Sequence, residues 1–257
     1  MNRDRLELEF LGTGTSSGVP QLRCDCEVCR STDPRDKRFR TSAIVRYRGK
    51  NILIDCGPDF RTQMLRASSQ DLDALLITHI HYDHVGGLDD IRAYCLGNTF
   101  PIYARADVIA QLREKLPYCF HPNPYTWVPL LEPHSIVDNV PFTLGDIEIR
   151  PIPIKHFKMP IIGFHIGPLA YITDCKTISD DQVERLRDIP LLVLNALRVQ
   201  DHVSHLNLEQ ALALIERIRP GRAFLIHMGH DIGLHARVSA ALPENVALAH
   251  DGLIVQC

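Results

Sequence analysis

Nowhere in these 257 residues is there an apolar run approaching the roughly 20 needed to span a bilayer. The opening stretch Met1-Asn2-Arg3-Asp4-Arg5-Leu6-Glu7-Leu8-Glu9 is too charged for the apolar centre of a signal peptide. A cytoplasmic chain without a membrane partner is therefore expected. A surplus of positive charge is also missing. Lys and Arg number 28 against 31 Asp and Glu, a net charge of -3. That removes the general electrostatic reason to bind nucleic acid, and none is expected as a partner. Low-complexity linkers and repeats are absent, so a single domain over residues 1–257 is expected. The glycines of Gly12-Thr13-Gly14-Thr15-Ser16-Ser17-Gly18 do not make a phosphate loop. Their spacing is wrong for G-x-G-x-x-G, no Gly-Lys-Ser/Thr follows, and Pro20 stands where a helix would begin. Cysteine, by contrast, is plentiful. In a reducing compartment the eight cysteines would be thiols or metal ligands and not a disulfide framework.

What is present is a local concentration of metal-binding side chains. His79-Ile80-His81-Tyr82-Asp83-His84 packs three imidazoles and a carboxylate into six residues. The apolar run Leu72–Thr78 before it reads as a buried strand, and a helix-like stretch follows Val85-Gly86-Gly87-Leu88 to about Cys95. In extended backbone His79 and His81 face one way, while Asp83 and His84 lie past the bend and can aim at a second point. Two adjacent metal ions is the natural reading, since neutral imidazole and carboxylate suit zinc or manganese. A second cluster is Cys24-Asp25-Cys26-Glu27-Val28-Cys29, whose three thiols can wrap one ion over a tight turn. A tetrahedral zinc needs a fourth ligand there, and His230 is the candidate.

Around these clusters the chain alternates strands and helices. Leu6–Leu11 reads as a first strand, and Thr41–Tyr47 with Asn51–Ile54 as a pair around Gly49-Lys50. Helices are expected over Phe60–Arg66, Asp89–Leu96 and Asp107–Leu116. Asn207 is a plausible N-cap with Gln210 three residues on, opening a helix that stops before Pro220-Gly221. The run Arg35–Arg40 reads as a solvated basic face, or as a contact for substrate phosphate if it nears the site. Pro117–Pro133, with Tyr118, Phe120, His121, Tyr125 and Trp127, reads as a long excursion that walls a pocket, forms a dimer contact or simply packs.

The six-residue motif is the signature of the metallo-β-lactamase superfamily, and the chain resembles that family over nearly all its length. The resemblance implies an α/β fold, an αββα sandwich of two mixed β-sheets flanked by helices. It also implies the remaining ligands, each at the end of an apolar run. His156 matches the third ligand of the first metal, beside His79 and His81. His227 completes the second metal, beside Asp83 and His84. Asp174 matches the carboxylate that bridges the two. Asp55 matches an aspartate that supports the metal-site loop from behind. The cysteine cluster with His230 resembles a branch that includes the cyclic phosphoribosyl phosphodiesterase, and the pyrroloquinoline quinone biosynthesis B protein shares that cluster.

That likeness implies a hydrolase with two divalent ions, Zn or Mn, at the active site and one structural Zn. The two ions would hold a hydroxide at neutral pH and neutralise charge on phosphoryl oxygens. The expected substrate is a small phosphodiester, cyclic or phosphoribosyl-type. Asp83, as a hard oxygen ligand, has a catalytic part as well as a binding one. His205 is the expected acid for the leaving group, because it matches the histidine proposed for that role and precedes the helix start at Asn207. His202 is its nearest rival. The alternatives are a transfer-RNA 3′-processing nuclease, a lactone or thioester hydrolase, and a non-hydrolytic pathway protein of the quinone-biosynthesis type.

Overall fold

The computed structural model describes residues 4–95, 97–121 and 128–257. Tyr125 and Trp127 of the expected excursion, and Leu96 at the end of an expected helix, lie outside them. Strand formation follows the alternation of apolar side chains. One sheet runs, edge to edge, through Ile254–Gln256, Glu7–Gly12, Ser42–Tyr47, Lys50–Ile54, Ala74–Leu76, Phe100–Arg105 and Leu131–Ile136. The other runs through Thr177–Ile178, Ile147–His156, Met159–Ile166, Leu169–Ile172, Leu191–Asn195, Arg222–Ile226 and Val246–Leu248, with Phe142–Leu144 paired to Ile147–His156.

Successive residues of a strand point to opposite faces, and here both faces are apolar. Leu8, Phe10, Val45 and Ile54 of the first sheet meet Ile162, Phe164, Tyr171, Val193 and Phe224 of the second in the central core. The intervening residues Ile44, Leu53 and Leu75 pack outward with Phe60 and Met64 of the helix Phe60–Arg66 and with Val108 and Leu112 of the helix Ala106–Lys115. Across the molecule Ala170, Ile172, Leu192, Leu194 and Leu225 pack outward beneath Ala211, Leu214, Ile215 and Ile218. The result is helix, sheet, sheet, helix, the metallo-β-lactamase sandwich of two mixed sheets. Among the described residues no helix is long and apolar enough to cross a membrane.

Strand direction decides where function can sit. Leu169–Ile172, Leu191–Asn195 and Arg222–Ile226 are parallel neighbours. So are Lys50–Ile54, Ala74–Leu76 and Phe100–Arg105. The carboxyl ends of each trio therefore share one edge, and Ile162 N–H donates to the Thr78 carbonyl across the two sheets at 3.3 Å. The expected motif helix is two shorter pieces, one turn over Tyr82–Val85 and a 3-10 segment over Leu88–Tyr94.

Asn207 caps the helix Leu208–Ile218 through a full capping box. Its side chain accepts from Gln210 N–H at 2.8 Å, and the Gln210 side chain accepts from Asn207 N–H at 3.2 Å. Asn207→Ala should lower unfolding free energy by about 1 kcal/mol in a denaturant titration, the usual value of such a cap.

Candidate metal centre

Several side chains at this edge stand at or just past the end of a strand. Asp55, Asp174 and His227 adopt left-handed backbone, with φ of 60°, 55° and 56°. Aspartate, asparagine and histidine tolerate that region better than most residues, and it turns the chain sharply off the sheet. Phe157 does the same directly after His156, with φ of 54°. Gly57 lets the Asp83 loop approach, since a Cβ there would run into the Asp83 carbonyl.

The structure brings His79, His81, Asp83, His84, His156, Asp174, His205 and His227 together at this edge. The Asp174 carboxylate lies between the imidazoles. Its Oδ1 is 3.5 Å from His84 Nε2 and 3.2 Å from His227 Nε2, and its Oδ2 is 3.8 Å from His79 Nε2 and 3.2 Å from His205 Nε2. One ligand atom from each of Asp83, His84, Asp174 and His227 falls within 4.8 Å of the others, as does one from each of His79, His81 and Asp174. His156 groups through Asp174 with His205, and its ring centroid is 5.0 Å from that of His81 and 5.8 Å from that of His79.

Three imidazoles have one nitrogen held from behind. His79 Nδ1–H donates to the Thr78 hydroxyl oxygen at 3.0 Å, because that hydroxyl itself donates to Asp55. His84 Nδ1–H donates to Asp55 Oδ2 at 2.7 Å. His156 Nδ1–H donates to the carbonyls of Ser204 at 2.9 Å and Asp174 at 3.1 Å. Each bond fixes a tautomer and leaves Nε2 as a lone-pair donor facing the centre. Among the described residues His84 Nε2 and both ring nitrogens of His227 are buried without a hydrogen-bond partner. Buried polar atoms are normally satisfied. Six imidazoles and two carboxylates converging with orphaned nitrogens are a nitrogen–oxygen donor set that fits divalent zinc or manganese.

The charges interlock. Burial holds His79 well below the ordinary imidazole pKa, and neighbouring His84 adds to the effect. Burial acts to lower His84 too, but the carboxylates of Asp174, Asp55 and Asp83 outweigh it and raise it well above the ordinary value. Burial opposes ionisation of Asp83, yet His84 and His227 carry it below the usual carboxylate range. Asp174 is lowered in the same way, by His227 and His84 against burial. His205 is lowered to about 4, chiefly by burial, while its bond to Asp174 acts the other way.

The cysteine cluster closes on the residue expected. Sγ of Cys24 and of Cys26 lies 3.2 Å from His230 Nδ1, and that of Cys29 lies 3.6 Å away. Cys26 stands at the N-cap of the turn Glu27–Arg30, and the Cys29 N–H donated to its sulfur is the main cause lowering it to about 6. Burial pushes Cys29 up to about 11. Three sulfurs and one nitrogen make a donor set that fits a closed tetrahedral zinc site.

The basic run behaves otherwise than expected of a solvated face. Arg38 is 2% exposed, its nearest carboxylate oxygen is Asp36 Oδ1 at 3.5 Å, and its guanidinium nitrogens have no hydrogen-bond partner among the described residues. Arg40 is tied to Asp59 at 2.8 Å and to the Ser16 carbonyl at 3.1 Å. The alternation of the strand-like segment, set against Val19 by an isolated bridge, turns Arg38 inward. Sequence reasoning also missed three supports. Thr78 holds Asp55 and His79, Thr173 donates to Asp174 Oδ1 at 2.6 Å, and Asn195 clamps Cys175 through both its N–H and its carbonyl. The available signal was a polar residue ending an apolar strand, which is common in loops of every kind.

Comparison with known proteins agrees with this geometry. Residues 50–228 match the model of the beta-lactamase superfamily domain. The crystal structure of a diphosphatase from the PhnP family superposes with a TM-score of 0.91 at 37% identity, covering 98% of this chain and 97% of that one. A Porphyromonas gingivalis (strain ATCC BAA-308 / W83) protein named octanoyltransferase is 44% identical over 246 residues, which is 95% of this chain and 50% of that protein. The chain thus spans about half the length of that relative. Zn(2+)-bound PqqB from Methylobacterium extorquens shares the fold, with a TM-score of 0.79 at 20% identity over 97% of this chain and 99% of that one.

A three-sulfur, one-nitrogen zinc site predicts that Cys26→Ser removes one zinc per chain and lowers Tm by several degrees. Unchanged zinc content together with unchanged Tm would refute it.

Proposed function

The chain belongs to the metallo-β-lactamase superfamily and, within it, to the PhnP family, and from that premise we propose a divalent-metal-dependent hydrolase of small phosphodiesters. The observation that carries the reading is Asp174, a single carboxylate placed between two sets of imidazoles, of which His79, His84 and His156 have their far nitrogens held. His79, His81, His156 and Asp174 would hold one ion, and Asp83, His84, His227 and Asp174 the other, each Zn or Mn. A further zinc would sit on Cys24, Cys26, Cys29 and His230. When bound, the two ions would supply Lewis acidity and offset the charge of phosphoryl oxygens. The related diphosphatase supports the choice of substrate class, since cleaving a diphosphate and cleaving a phosphodiester both break a bond from phosphorus to a bridging oxygen.

The protein's own residues do the orienting. Asp55 takes the His84 Nδ1 proton and the Thr78 donors, so the motif loop cannot rotate. Ser204 O fixes His156, and the same short loop presents His205. His205 Nε2 points at Asp174 Oδ2, while its Nδ1 lies 3.0 Å from Ser204 Oγ and 3.2 Å from His202 Nδ1. That chain of polar atoms leads from the half-buried His202 to the centre, a path for a proton to the leaving oxygen. Burial lowers His205 to about 4, and an anionic group beside an imidazole favours its protonated form. The occupants expected of the site are small phosphodiesters, with neither nucleic acid nor membrane as partner.

Three outcomes test the reading. A panel of bis(p-nitrophenyl) phosphate, a cyclic mononucleotide, a phosphomonoester, a lactone and a β-lactam should show turnover of diesters and not of the monoester. Faster cleavage of the lactone or β-lactam would overturn it. Asp174→Ala should release metal, measured by elemental analysis, and cut activity by more than about a hundredfold, the loss already seen for outer partners of a metal site. His205→Ala should keep its metal and lose about 10²–10⁴-fold on an alkyl diester, the range for a lost general acid. A p-nitrophenyl ester, whose leaving group needs little protonation, should lose far less. Equal losses on the two substrates would give His205 a binding role instead.

A further inference from the structure

On the outer face of the second sheet, away from the metal centre, three elements enclose a cavity of about 410 Å³. Its wall joins the Tyr47-Arg48 turn of the first sheet, the paired strands carrying Arg150 and His165, and the helix Asp180–Arg185. Arg150 lies six residues before His156 on one strand, about 20 Å away at about 3.3 Å per residue.

Two observations, one of charge and one of construction, point to a ligand. Arg150 and His165 are direct cross-strand partners, and burial, with Arg150 beside it, lowers the pKa of His165 and favours its neutral form, so the charge of this wall is carried by the arginines. The compensation at hand is slight. Glu148 reaches Arg150 at 3.5 Å, Arg48 is engaged with the Asp146 carbonyl and the exposed Asp4, and Arg185 has no ion pair or hydrogen bond among the described residues. The cavity therefore gathers three guanidinium groups against one lining carboxylate. The second observation is construction. Gly167, with φ of 52°, lets the Tyr47 ring close the wall, and a Cβ there would meet that ring at 2.9 Å. His165 is half-buried and anchored by its Nε2–H to the Gly167 carbonyl at 3.0 Å. This is a walled recess with a fixed floor, and its volume lies in the range of small-molecule sites.

We propose that this cavity binds a small phosphorylated molecule, its phosphate held by Arg150 and Arg185 with Arg48 at the rim, independently of the metal centre. Guanidinium forks pair bidentately with phosphate oxygens, and a phosphate monoester brings more charge and one more acceptor oxygen than a carboxylate to meet three arginines. A free small molecule fits better than a lipid headgroup, because the recess is lined by buried Ile152 and Leu186 below and by charge above.

Isothermal titration of the metal-loaded protein with inorganic phosphate and with a nucleoside monophosphate tests this. Wild type should show a binding component that survives in Asp174→Ala and weakens at least about tenfold, or 1.4 kcal/mol, in Arg150→Ala/Arg185→Ala. The double variant should keep its metal content, its Tm without phosphate and its turnover of bis(p-nitrophenyl) phosphate. Glu148→Gln removes the competing carboxylate and should tighten phosphate binding. Identical isotherms for wild type and the double variant would overturn the proposal. So would loss of all phosphate binding in Asp174→Ala, or sedimentation with phosphatidic acid vesicles in the absence of free-phosphate binding. The binding isotherms, metal content and Tm do not depend on the hydrolytic reading, so failure of one proposal leaves the other intact.

Discussion

The buried carboxylate of Asp174 is the interaction on which the rest of this edge depends. It is 2% exposed, so its charge must be met by donors or cations. Four imidazoles and the Thr173 hydroxyl supply them in the chain as it stands. The loops that carry those imidazoles come from both sheets, so one carboxylate draws together elements that are far apart in sequence. The same crowding explains why the charges interlock. His84 is driven up by three carboxylates while His79, beside it, is driven down by burial.

Geometry at the strand ends makes the crowding achievable. A strand that simply continued would carry its last side chain out along the sheet. A left-handed residue at Asp55, Asp174 and His227 turns the chain at once and throws the side chain over the edge. Such positions strain ordinary residues and gather at functional sites. Behind them Thr78, Thr173 and Asn195 tie the turns to the sheet, so orientation is set by hydrogen bonds and not by the ligands alone. The cysteine cluster works on the same loops from another side, because His230 follows His227 closely and is held by sulfurs from the N-terminal segment.

Much of the site was legible before any coordinates. His79, His81, Asp83 and His84 lie within six residues, so their convergence is a local matter of strand, bend and helical turn. Individual strands followed from apolar alternation, the αββα layering from the family resemblance, and the Asn207 cap from its spacing to Gln210. Less could be read where neighbours come from afar. Arg38 sits in a basic run that looks solvated, yet its strand-like register buries it. His156 pairs with His205 more closely than with His79, which depends on how the loop at Ser204 folds back.

By itself the sequence determined the periodic features and the identity of the chemistry. Alternation is fixed by the geometry of a single strand, and a donor set is fixed by side-chain type, so both can be read one segment at a time. Which donors share a centre was decided only by the tertiary structure. Asp174 and His227 meet because their strands are parallel members of one trio and end at one edge, and His79 joins them because the other sheet packs face to face with that trio. The arginine recess beside His165 exists for the same reason, since Tyr47, Arg150 and Arg185 are unrelated in sequence and become neighbours only when the layers close. Register and packing are long-range properties, and no local pattern of residues encodes them alone.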